Sequence, residues 1–278
     1  MGYRITKKMT PAENIVDLWV EAPLIASHAK AGQFIVVRLH EKGERIPLTI
    51  AEKNSKEIRI IFQVVGKTTL EFSMMKEGDE IADVTGPLGN PSEIENYGDV
   101  LVIGGGVGIA AIYPIIVELK KAGNNVTAIL GARSSRLLIL KDEIAKYVDE
   151  LIITTDDGSE GMKGFVTDAF KKLIADGRKF KVAWAIGPTI MMKFCSLVAK
   201  EHDIPIWTSL NPIMVDGTGM CGACRVEVNG EIKFACVDGP EFDGRFVNWD
   251  ELLRRLKQYE TAEKKSLEIF ERSVRKDG

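Results

Sequence analysis

The sequence predicts a β + α/β protein in which an antiparallel β-barrel precedes a doubly wound parallel sheet, a small cysteine-containing segment and a terminal helix. Three observations support this fold class. Residues 1–98 contain short apolar runs separated by turns, a pattern typical of antiparallel barrels. Over residues 99–210, apolar strands alternate with amphipathic helices, as in proteins with a parallel sheet. Three of the four cysteines then lie within residues 221–236.

Composition limits the classes of function. The 278 residues are enough for two ordinary domains. Because 37 Lys+Arg are balanced by 40 Asp+Glu, the net charge is −3, which argues against binding to nucleic acid or to anionic membranes. No apolar run is as long as a transmembrane helix, and the N-terminus lacks the apolar core of a signal peptide. We therefore expect a cytoplasmic protein with no nucleic-acid or membrane partner.

The two main domains are predicted from their hydrophobic periodicity. Strands of the barrel, residues 1–98, are expected at 15–22, 34–39, 46–52, 57–65 and 79–87. The second domain, residues 99–210, opens with a buried strand, a glycine turn and a helix. Its helices are expected at 109–122, 139–148, 165–177 and 189–202, with later strands at 126–133, 150–159, 181–188 and 204–210.

The remaining residues form two smaller parts. Residues 211–247 contain the clustered cysteines, whose thiolates are suited to a metal centre. Residues 248–278 are predicted as one long helix that begins with a capping box formed by Asn248 and Glu251. Its apolar stripe and its length make this helix a candidate subunit interface.

The turn between the first strand and the first helix of the second domain is the first chemical signal. Gly106, Gly108 and Ala111 satisfy the pattern G-x-G-x-x-A, whose backbone N–H groups face a pyrophosphate in dinucleotide-binding proteins. A tight connection in some other α/β protein is the alternative. Arg133 follows the second strand and favours a 2′-phosphate, whereas Asp156 and Asp157 follow the third and favour NAD(H). The alternative for these two acids is a solvated turn.

Two stretches of the first domain, RIPLTI (45–50) and VVGKTT (64–69), followed by the glycine turn, are similar to the ferredoxin-NADP reductase superfamily. The resemblance implies that FAD lies along the first stretch and that the second leads into a helix whose N-terminus holds the flavin pyrophosphate. In the superfamily an arginine stands three residues before the Ser/Thr, where Ile46 stands here. The flavin residues so implied are Arg45, Pro47, Leu48, Thr49, Val65, Gly66, Thr68 and Thr69. The candidate dinucleotide residues are Gly104, Gly105, Gly106, Val107, Gly108, Ile109, Gly131, Arg133, Asp156, Asp157, Gly187 and Pro188.

The cysteine segment resembles a loop of the dihydroorotate dehydrogenase electron-transfer subunit, a branch of the superfamily that holds a [2Fe-2S] cluster with four cysteines. Here the loop reads D-x4-C-x2-C-x11-C, with Asp216 in the place of the first cysteine. The resemblance implies that the ligands are Asp216, Cys221, Cys224 and Cys236. Structural zinc and a cluster held by three cysteines, with Asp216 in a turn, are the alternatives. Cys195 lies in a helical apolar pattern and is expected in the core.

Several longer stretches, together with the terminal helix, are most similar to the small subunits of NADH-dependent ferredoxin:NADP oxidoreductases, which bifurcate electrons. The resemblance implies an oxidoreductase subunit that moves electrons between NAD(H), FAD and a [2Fe-2S] cluster. It also implies a heterodimer with a larger iron-sulfur flavoprotein subunit that handles NADP(H) and ferredoxin. One alternative is the electron-transfer subunit of an NAD-dependent dihydroorotate dehydrogenase, against which Asp216 argues. The other is a non-catalytic module that binds flavin and zinc.

Overall fold

The computed structural model describes residues 2–277. Its first sheet has seven antiparallel strands in the order β6-β1-β2-β5-β4-β3-β7. Because β6 and β7 follow one another in the chain yet lie at opposite edges, the sheet curls into a nearly closed barrel. The barrel prediction is confirmed. The strands are β1 (Tyr3–Ala12), β2 (Ile15–Glu21), β3 (Phe34–Arg38), β4 (Arg45–Lys53), β5 (Glu57–Gln63), β6 (Glu80–Ile81) and β7 (Asp83–Leu88).

Strand β1 and the short helix α1 (Pro23–His28) of the barrel were not predicted, whereas α2 (Lys67–Met74) is the helix that the resemblance implies. Only Ile5 and Ala12 of β1 are buried, so this strand has no apolar run that the sequence could reveal. Helices α1 and α2 connect strands of the barrel. Phe72 of α2 stacks on Phe62 of β5, with ring centroids 4.8 Å apart. This contact fixes α2 to the barrel interior.

The second sheet is mainly parallel and has the order β11-β10-β9-β8-β12-β13-β16. Its last strand, β16 (Glu241–Asp243), comes from the cysteine segment. Its central strands follow the doubly wound pattern expected from the sequence. The strands are β8 (Asp99–Gly105), β9 (Asn125–Ala132), β10 (Glu150–Thr155), β11 (Met162–Lys163), β12 (Val182–Ile186) and β13 (Ile206–Ser209). The helices are α3 (Gly108–Lys121), α4 (Lys141–Ile144), α5 (Val166–Ala175) and α6 (Thr189–Glu201). Apolar residues of α3 and α4 pack on one face of the sheet, and those of α5 and α6 pack on the other.

The barrel and the second sheet share a hydrophobic core. Four small or apolar side chains of the barrel pack against the buried face of α3 in one cluster. They are Ala12, Ile15, Ala51 and Ile61. Since α3 leads directly out of the glycine turn, this contact sets the position of the turn relative to the barrel.

Residues 211–247 are not an isolated appendage. Strands β14 (Arg225–Val228) and β15 (Glu231–Phe234) form a hairpin, and β16 (Glu241–Asp243) pairs antiparallel with β13 at the edge of the second sheet. Cys224 and Cys236 are buried in a core that includes Phe34 of the barrel and Met192 of α6. The cysteine segment is therefore packed against both domains.

The prediction of one continuous terminal helix is wrong. The structure has α7 (Trp249–Leu256) and α8 (Glu260–Asp277), joined by a turn whose amides bond three residues back rather than four. Helix α7 buries Trp249 and Leu252 against the cysteine segment, whereas α8 contacts α2 of the barrel. The two helices therefore pack on different parts of the protein. Asn248 caps α7 as predicted, accepting a hydrogen bond from the amide of Glu251 at 3.1 Å.

None of the helices within residues 2–277 combines the length and the apolar character needed to cross a membrane.

A buried arginine connects the barrel to the second domain. The guanidinium of Arg59 forms a bidentate pair with Asp17, with nitrogen–oxygen distances of 2.7 and 3.0 Å. It also donates to Glu52 at 2.9 Å and lies 3.6 Å from the carboxylate of Glu143 on α4. Asp17 is 1% exposed. Because a buried charge is tolerated only when it is paired, this network is required for the observed packing.

We predict that Asp17→Ala lowers the free energy of unfolding by about 3–5 kcal/mol, because it leaves the buried guanidinium without its main partner. Urea denaturation followed by circular dichroism measures this change. Glu260→Ala is the control, since it removes an exposed pair with Lys264 and should cost less than about 0.5 kcal/mol. Equal effects of the two substitutions would contradict the prediction.

Candidate functional site

A cleft of about 540 Å³ lies between the barrel and the second sheet. This volume is within the roughly 300–1,000 Å³ range of small-molecule sites. Strand β4, the end of β5 and the start of α2 form its barrel side, and the turns after β8 and β12 form the opposite side. Of the predicted flavin residues, five line the cleft, namely Pro47, Leu48, Thr49, Val65 and Thr69.

The N-terminus of α2 begins beside this cleft, with Gly66 as its N-cap. The hydroxyl oxygen of Thr69 accepts hydrogen bonds from the amides of Val65 and Gly66, both at 3.0 Å. A Cβ atom on Gly66 would meet no other atom within 4 Å, so this side of the turn is open. The first amides of a helix lack intrahelical partners and attract anions. The turn therefore fits a flavin phosphate.

Arg45 and Thr68 are not among the residues that line the cleft. The guanidinium of Arg45 lies 3.9 Å from the carboxylate of Asp83, and the buried hydroxyl of Thr68 donates to Glu44. Ile46, which holds the position of the superfamily's arginine, does line the cleft. A flavin-binding role for Arg45 and Thr68 stays a prediction.

The glycine turn and the turn after β12 approach each other very closely. A Cβ atom on Gly108 would lie 2.4 Å from the carbonyl oxygen of Ile186, and one on Gly187 would lie 2.8 Å from that of Gly105. Real Cβ atoms do not approach other atoms so closely, so only glycine fits at these two positions. Gly106 adopts a left-handed φ of +55° with open space beside it. Its backbone faces the cleft, which Val107, Gly108, Gly187 and Pro188 also line.

Gly104 and Ile109 have packing roles in the structure. Ile109 is fully buried in the core shared with the barrel. A Cβ atom on Gly104 would lie 2.5 Å from the side chain of Ile112, so glycine at this position allows α3 to pack against β8. These two predicted dinucleotide residues pack beneath the glycine turn and line neither of the two clefts.

A second cleft, of about 430 Å³, opens at the carboxyl ends of β8, β9, β10 and β12. This edge is where doubly wound sheets bind their ligands. Its lining includes six of the predicted dinucleotide residues, Gly105, Gly106, Gly131, Arg133, Asp156 and Pro188. The structure therefore brings the main dinucleotide candidates together.

Asp157 is not part of this lining. Its Oδ1 accepts a hydrogen bond from the amide of Ser159 at 2.9 Å, and bonds from the hydroxyl and amide of Ser159 lower the pKa of Asp157. It therefore stabilises the turn after β10. Asp156 and Arg133 both line the cleft. An acidic and a basic side chain therefore lie where a ribose would be recognised.

The two clefts share a wall. Gln63, Gly105, Gly106 and Pro188 line both of them. Gln63 comes from the end of β5, so the barrel as well as the second sheet contributes to this wall. Ligands bound in the two clefts would therefore lie on either side of this wall.

Several lining residues were not predicted from the sequence. Phe165, Ile190 and Phe194 line the second cleft, called the dinucleotide cleft below. Their exposed fractions are 62%, 49% and 51%. Met191 lines this cleft and Met214 the other, while Met192 is buried. Exposed aromatic side chains at a cleft are unusual enough to indicate a binding surface, but in the sequence they resemble ordinary helix residues.

In the cysteine loop, two of the candidate ligands have their sulfur atoms in contact, and Asp216 is held by backbone amides. The Sγ atoms of Cys224 and Cys236 lie 3.2 Å apart. Asp216 accepts hydrogen bonds from the amide of Cys221 at 3.0 Å and from that of Thr218 at 2.8 Å. Cys221 is exposed. Across the part of the chain that the structure describes, no three His, Cys, Asp or Glu side chains converge closely enough to hold a metal ion.

The comparisons with known proteins agree with these sites. Residues 102–196 match the oxidoreductase NAD-binding domain, and residues 211–248 match the iron-sulfur cluster binding domain of dihydroorotate dehydrogenase B. A homolog of the electron-transfer subunit of dihydroorotate dehydrogenase B (NAD(+)) from Thermotoga maritima is 62% identical, over 96% of this chain and 94% of that protein. The corresponding subunit of Clostridium perfringens is 32% identical, over 88% and 97% of the two chains.

A solved structure gives the same result. A chain of the NADH-dependent reduced ferredoxin-NADP oxidoreductase, studied for flavin-based electron bifurcation, is 61% identical and has a TM-score of 0.92. The match covers 97% of this chain and 98% of that chain.

The chain belongs to the family of dihydroorotate dehydrogenase B electron-transfer subunits and their homologues. It is an electron-transfer flavoprotein subunit with FAD, NAD(H) and [2Fe-2S] as its cofactors. Its relatives are described as subunits of a complex.

The cysteine loop fits an iron-sulfur cluster of this family. Burial, followed by the neighbouring Cys224 thiol, raises the pKa of Cys236 to about 12. The Cys236 thiol therefore ionises readily only next to a cation, which a bound metal provides. Two sulfurs on one tetrahedral metal, with bonds of about 2.3 Å, would be about 3.8 Å apart, close to the 3.2 Å observed between Cys224 and Cys236. Gly217, Gly219 and Gly222 have φ values of +79°, +85° and +67°, which suit a tight loop around a cluster.

We predict that Cys195→Ala retains the cluster, whereas Cys236→Ala loses it. Cys195 is fully buried on α6, and burial raises the pKa of its thiol to about 12, so it is a core residue, as its sequence pattern indicates. Iron and sulfide analysis of the two purified variants measures the difference. Loss of iron in Cys195→Ala, with the fold intact by circular dichroism, would contradict the prediction.

Proposed function

We propose that this chain is the NAD(H)-binding small subunit of a heterodimeric NADH-dependent ferredoxin:NADP oxidoreductase. In this proposal the chain exchanges electrons with NAD(H) and passes them to a larger iron-sulfur flavoprotein subunit that handles NADP(H) and ferredoxin. The observation that carries the proposal is the wall shared by the two clefts, formed by Gln63, Gly105, Gly106 and Pro188. It is supported by the 61% identity to a chain of such an enzyme over nearly the whole length.

The residues of the chain orient the ligands and exclude water from their meeting point. The bound flavin supplies two-electron exchange with nicotinamide and one-electron exchange with an iron-sulfur centre. The apolar surfaces of Pro47, Leu48 and Val65 would lie along the flavin, and the amides at the start of α2 would hold its phosphate. The open space beside Gly106 leaves room for a nicotinamide at the shared wall.

Asp156 supports a preference for NAD(H). Its carboxylate lines the dinucleotide cleft, where it would accept a hydrogen bond from a ribose hydroxyl and repel a 2′-phosphate. Arg133 lines the same cleft and could pair with the pyrophosphate instead. We include Asp156 and Arg133 in the proposed dinucleotide site.

The ligands proposed for the cluster are Asp216, Cys221, Cys224 and Cys236. The contact between the Sγ atoms of Cys224 and Cys236 supports one iron held by these two thiols, and we propose that Asp216 and Cys221 hold the second iron. Hydrogen bonds from the amides of Thr218 and Cys221 lower the pKa of Asp216, which keeps its carboxylate ionised and ready to bind a cation.

The partner subunit and the compartment are also part of the proposal. Tyr259, just before α8, is 49% exposed, and Ile269 of α8 is 60% exposed. We propose that α8 contributes to the subunit interface. Four free cysteines, three of them clustered, support a reducing compartment such as the cytoplasm.

The alternative is the electron-transfer subunit of a dihydroorotate dehydrogenase, the description given to several relatives at 32–37% identity. Co-expression of the chain with a large iron-sulfur flavoprotein subunit of the proposed enzyme separates the two functions. We predict that the purified complex reduces NADP⁺ when NADH and reduced ferredoxin are both supplied, and does not when either is omitted. Reduction of NAD⁺ by dihydroorotate in the complex would overturn the proposal in favour of the alternative.

For the cluster, we predict that Asp216→Ala loses iron and that Asp216→Cys retains it with an altered spectrum. Alanine removes one ligand, whereas cysteine replaces an oxygen ligand with sulfur. Iron, sulfide and flavin analysis with electron paramagnetic resonance of the reduced chain measures both effects. If the spectrum of Asp216→Cys equals that of the unchanged protein, or if zinc is found instead of iron, the ligand assignment fails.

A further inference from the structure

A half-buried glutamate, whose carboxyl group is enclosed by the buried side chains of Ser92 and Trp184, lies between the domains and has no part in the sites described above. Glu241 is on β16, five residues after the last cysteine. Its Oε1 accepts a hydrogen bond from the hydroxyl of Ser92 at 2.6 Å, and its Oε2 accepts one from the indole N–H of Trp184 at 3.3 Å. A Cβ atom on Gly32 would lie 3.0 Å from Oε1, so a barrel loop closes a further side. Glu241 thus contacts the barrel, β12 and the linker between the domains, residues 89–98.

Glu241 is close to the cleft of about 540 Å³ in which we propose that FAD binds, called the flavin cleft below. Pro240, the preceding residue, lines that cleft. Ser92 lines a separate groove of about 740 Å³ between the barrel and the outer half of α3. The carboxyl group therefore stands between a residue of the flavin cleft and a residue of an open groove.

The same linker holds the stretch that connects Cys236 to β16. The backbone amide of Asn90 donates to the carbonyl oxygen of Gly239 at 2.6 Å. The side-chain amide of Asn90 donates to the carbonyl oxygen of Val237 at 3.2 Å. Together with Ser92 and Glu241, these contacts fix residues 237–241 between the cysteine loop and the wall of the flavin cleft. We call this set of contacts the linker latch.

The charge of Glu241 is not compensated by these contacts. Both donors are uncharged, and a carboxylate without a cation is unfavourable in a buried site. Burial raises the pKa of Glu241 to about 7, although the hydrogen bonds from Ser92 and Trp184 act in the opposite direction. Titratable side chains on the surrounding elements are Glu93, Glu95 and Tyr97 of the linker, and Asp243 of β16, which pairs with Arg245.

We propose that Glu241 is a proton-dependent positioning residue, which in its protonated form holds the cysteine loop in a fixed arrangement with the flavin cleft. When it loses its proton, the buried charge favours hydration and the linker latch loosens. Electron transfer between the flavin and the cluster then becomes slower, because the rate depends on a fixed separation of the two sites. The inference rests on the assignment of these sites to FAD and [2Fe-2S], but not on the identity of the partner subunit.

The sign of the pH dependence follows from the direction of the pKa shift. The folded protein favours the protonated form of Glu241 more than the unfolded chain does. Its contribution to stability is therefore fully present below the carboxyl's ordinary pKa of 4.5 and is lost as the pH rises through about 7. Glutamine resembles the protonated carboxyl in shape and remains neutral, so Glu241→Gln should remove this dependence.

The first test is thermal unfolding of the full chain, with its cofactors, between pH 5 and pH 8.5. We compare the unchanged protein with Glu241→Gln and with Glu231→Gln, an exposed glutamate of the same segment. We expect the melting temperature of Glu241→Gln to exceed that of the unchanged protein by an amount that grows as the pH rises through about 7. The Glu231→Gln variant should follow the unchanged protein at every pH. A constant difference for Glu241→Gln would show that Glu241 does not titrate, and would overturn the proposal.

The second test separates positioning from simple stability. Rapid mixing with NADH under anaerobic conditions follows flavin bleaching and cluster reduction as separate signals. In the unchanged protein, we expect the ratio of the cluster rate to the flavin rate to fall several-fold from pH 6 to pH 8.5, whereas in Glu241→Gln it stays constant. Ser92→Ala, which removes a hydrogen bond that favours the carboxylate, should move the midpoint to higher pH. A ratio that varies equally in the unchanged protein and Glu241→Gln would also overturn the proposal. Because both tests use the chain without its partner, they are independent of the assay for the complete complex.

Discussion

The close approach of two backbone turns is the constraint on which the rest of this structure depends. The turn after β8 and the turn after β12 meet where Gly108 and Gly187 leave no room for a side chain. This contact sets α3 tightly against the sheet, and α3 in turn carries the apolar surface that packs on the barrel. The same backbone forms the wall between the two clefts. One steric requirement therefore determines both how the domains join and where their ligands meet.

The contact between the domains also contains two buried ionisable groups with opposite environments. Arg59 is surrounded by Asp17, Glu52 and Glu143, so its charge is compensated and its position is fixed. Glu241 has only neutral donors, so its charge is costly. A compensated charge is permanent near neutral pH, whereas an uncompensated carboxyl can change its protonation. The interface thus combines a permanent ion-pair network with one group whose charge is variable.

Much of this fold could be predicted because its signals are local. The strand, glycine turn and helix at Gly104–Lys121 follow from periodicity and from the close backbone contacts that glycine permits. The break between α7 and α8 could not be predicted, because the residues around Lys257 include no glycine or proline, and the cause is packing on two distant surfaces. Similarly, the partners of Arg45 and the burial of Glu241 depend on residues far apart in the sequence. Residue type predicts the cysteine ligands, but the contact between Cys224 and Cys236 becomes visible only in the fold.

Asp216, which we propose as a cluster ligand in place of a cysteine, also has a structural role in the cysteine loop. A cysteine at position 216 would offer a weak acceptor to the amides of Thr218 and Cys221, whereas the two oxygens of Asp216 accept from both. These bonds shape the loop before any metal is present, and they keep the carboxylate ionised. Cys236, in contrast, has a raised pKa and gains its charge only with a metal. The aspartate therefore contributes both a preformed turn and a preformed negative charge, while the buried thiols supply the ligands that depend on the metal itself.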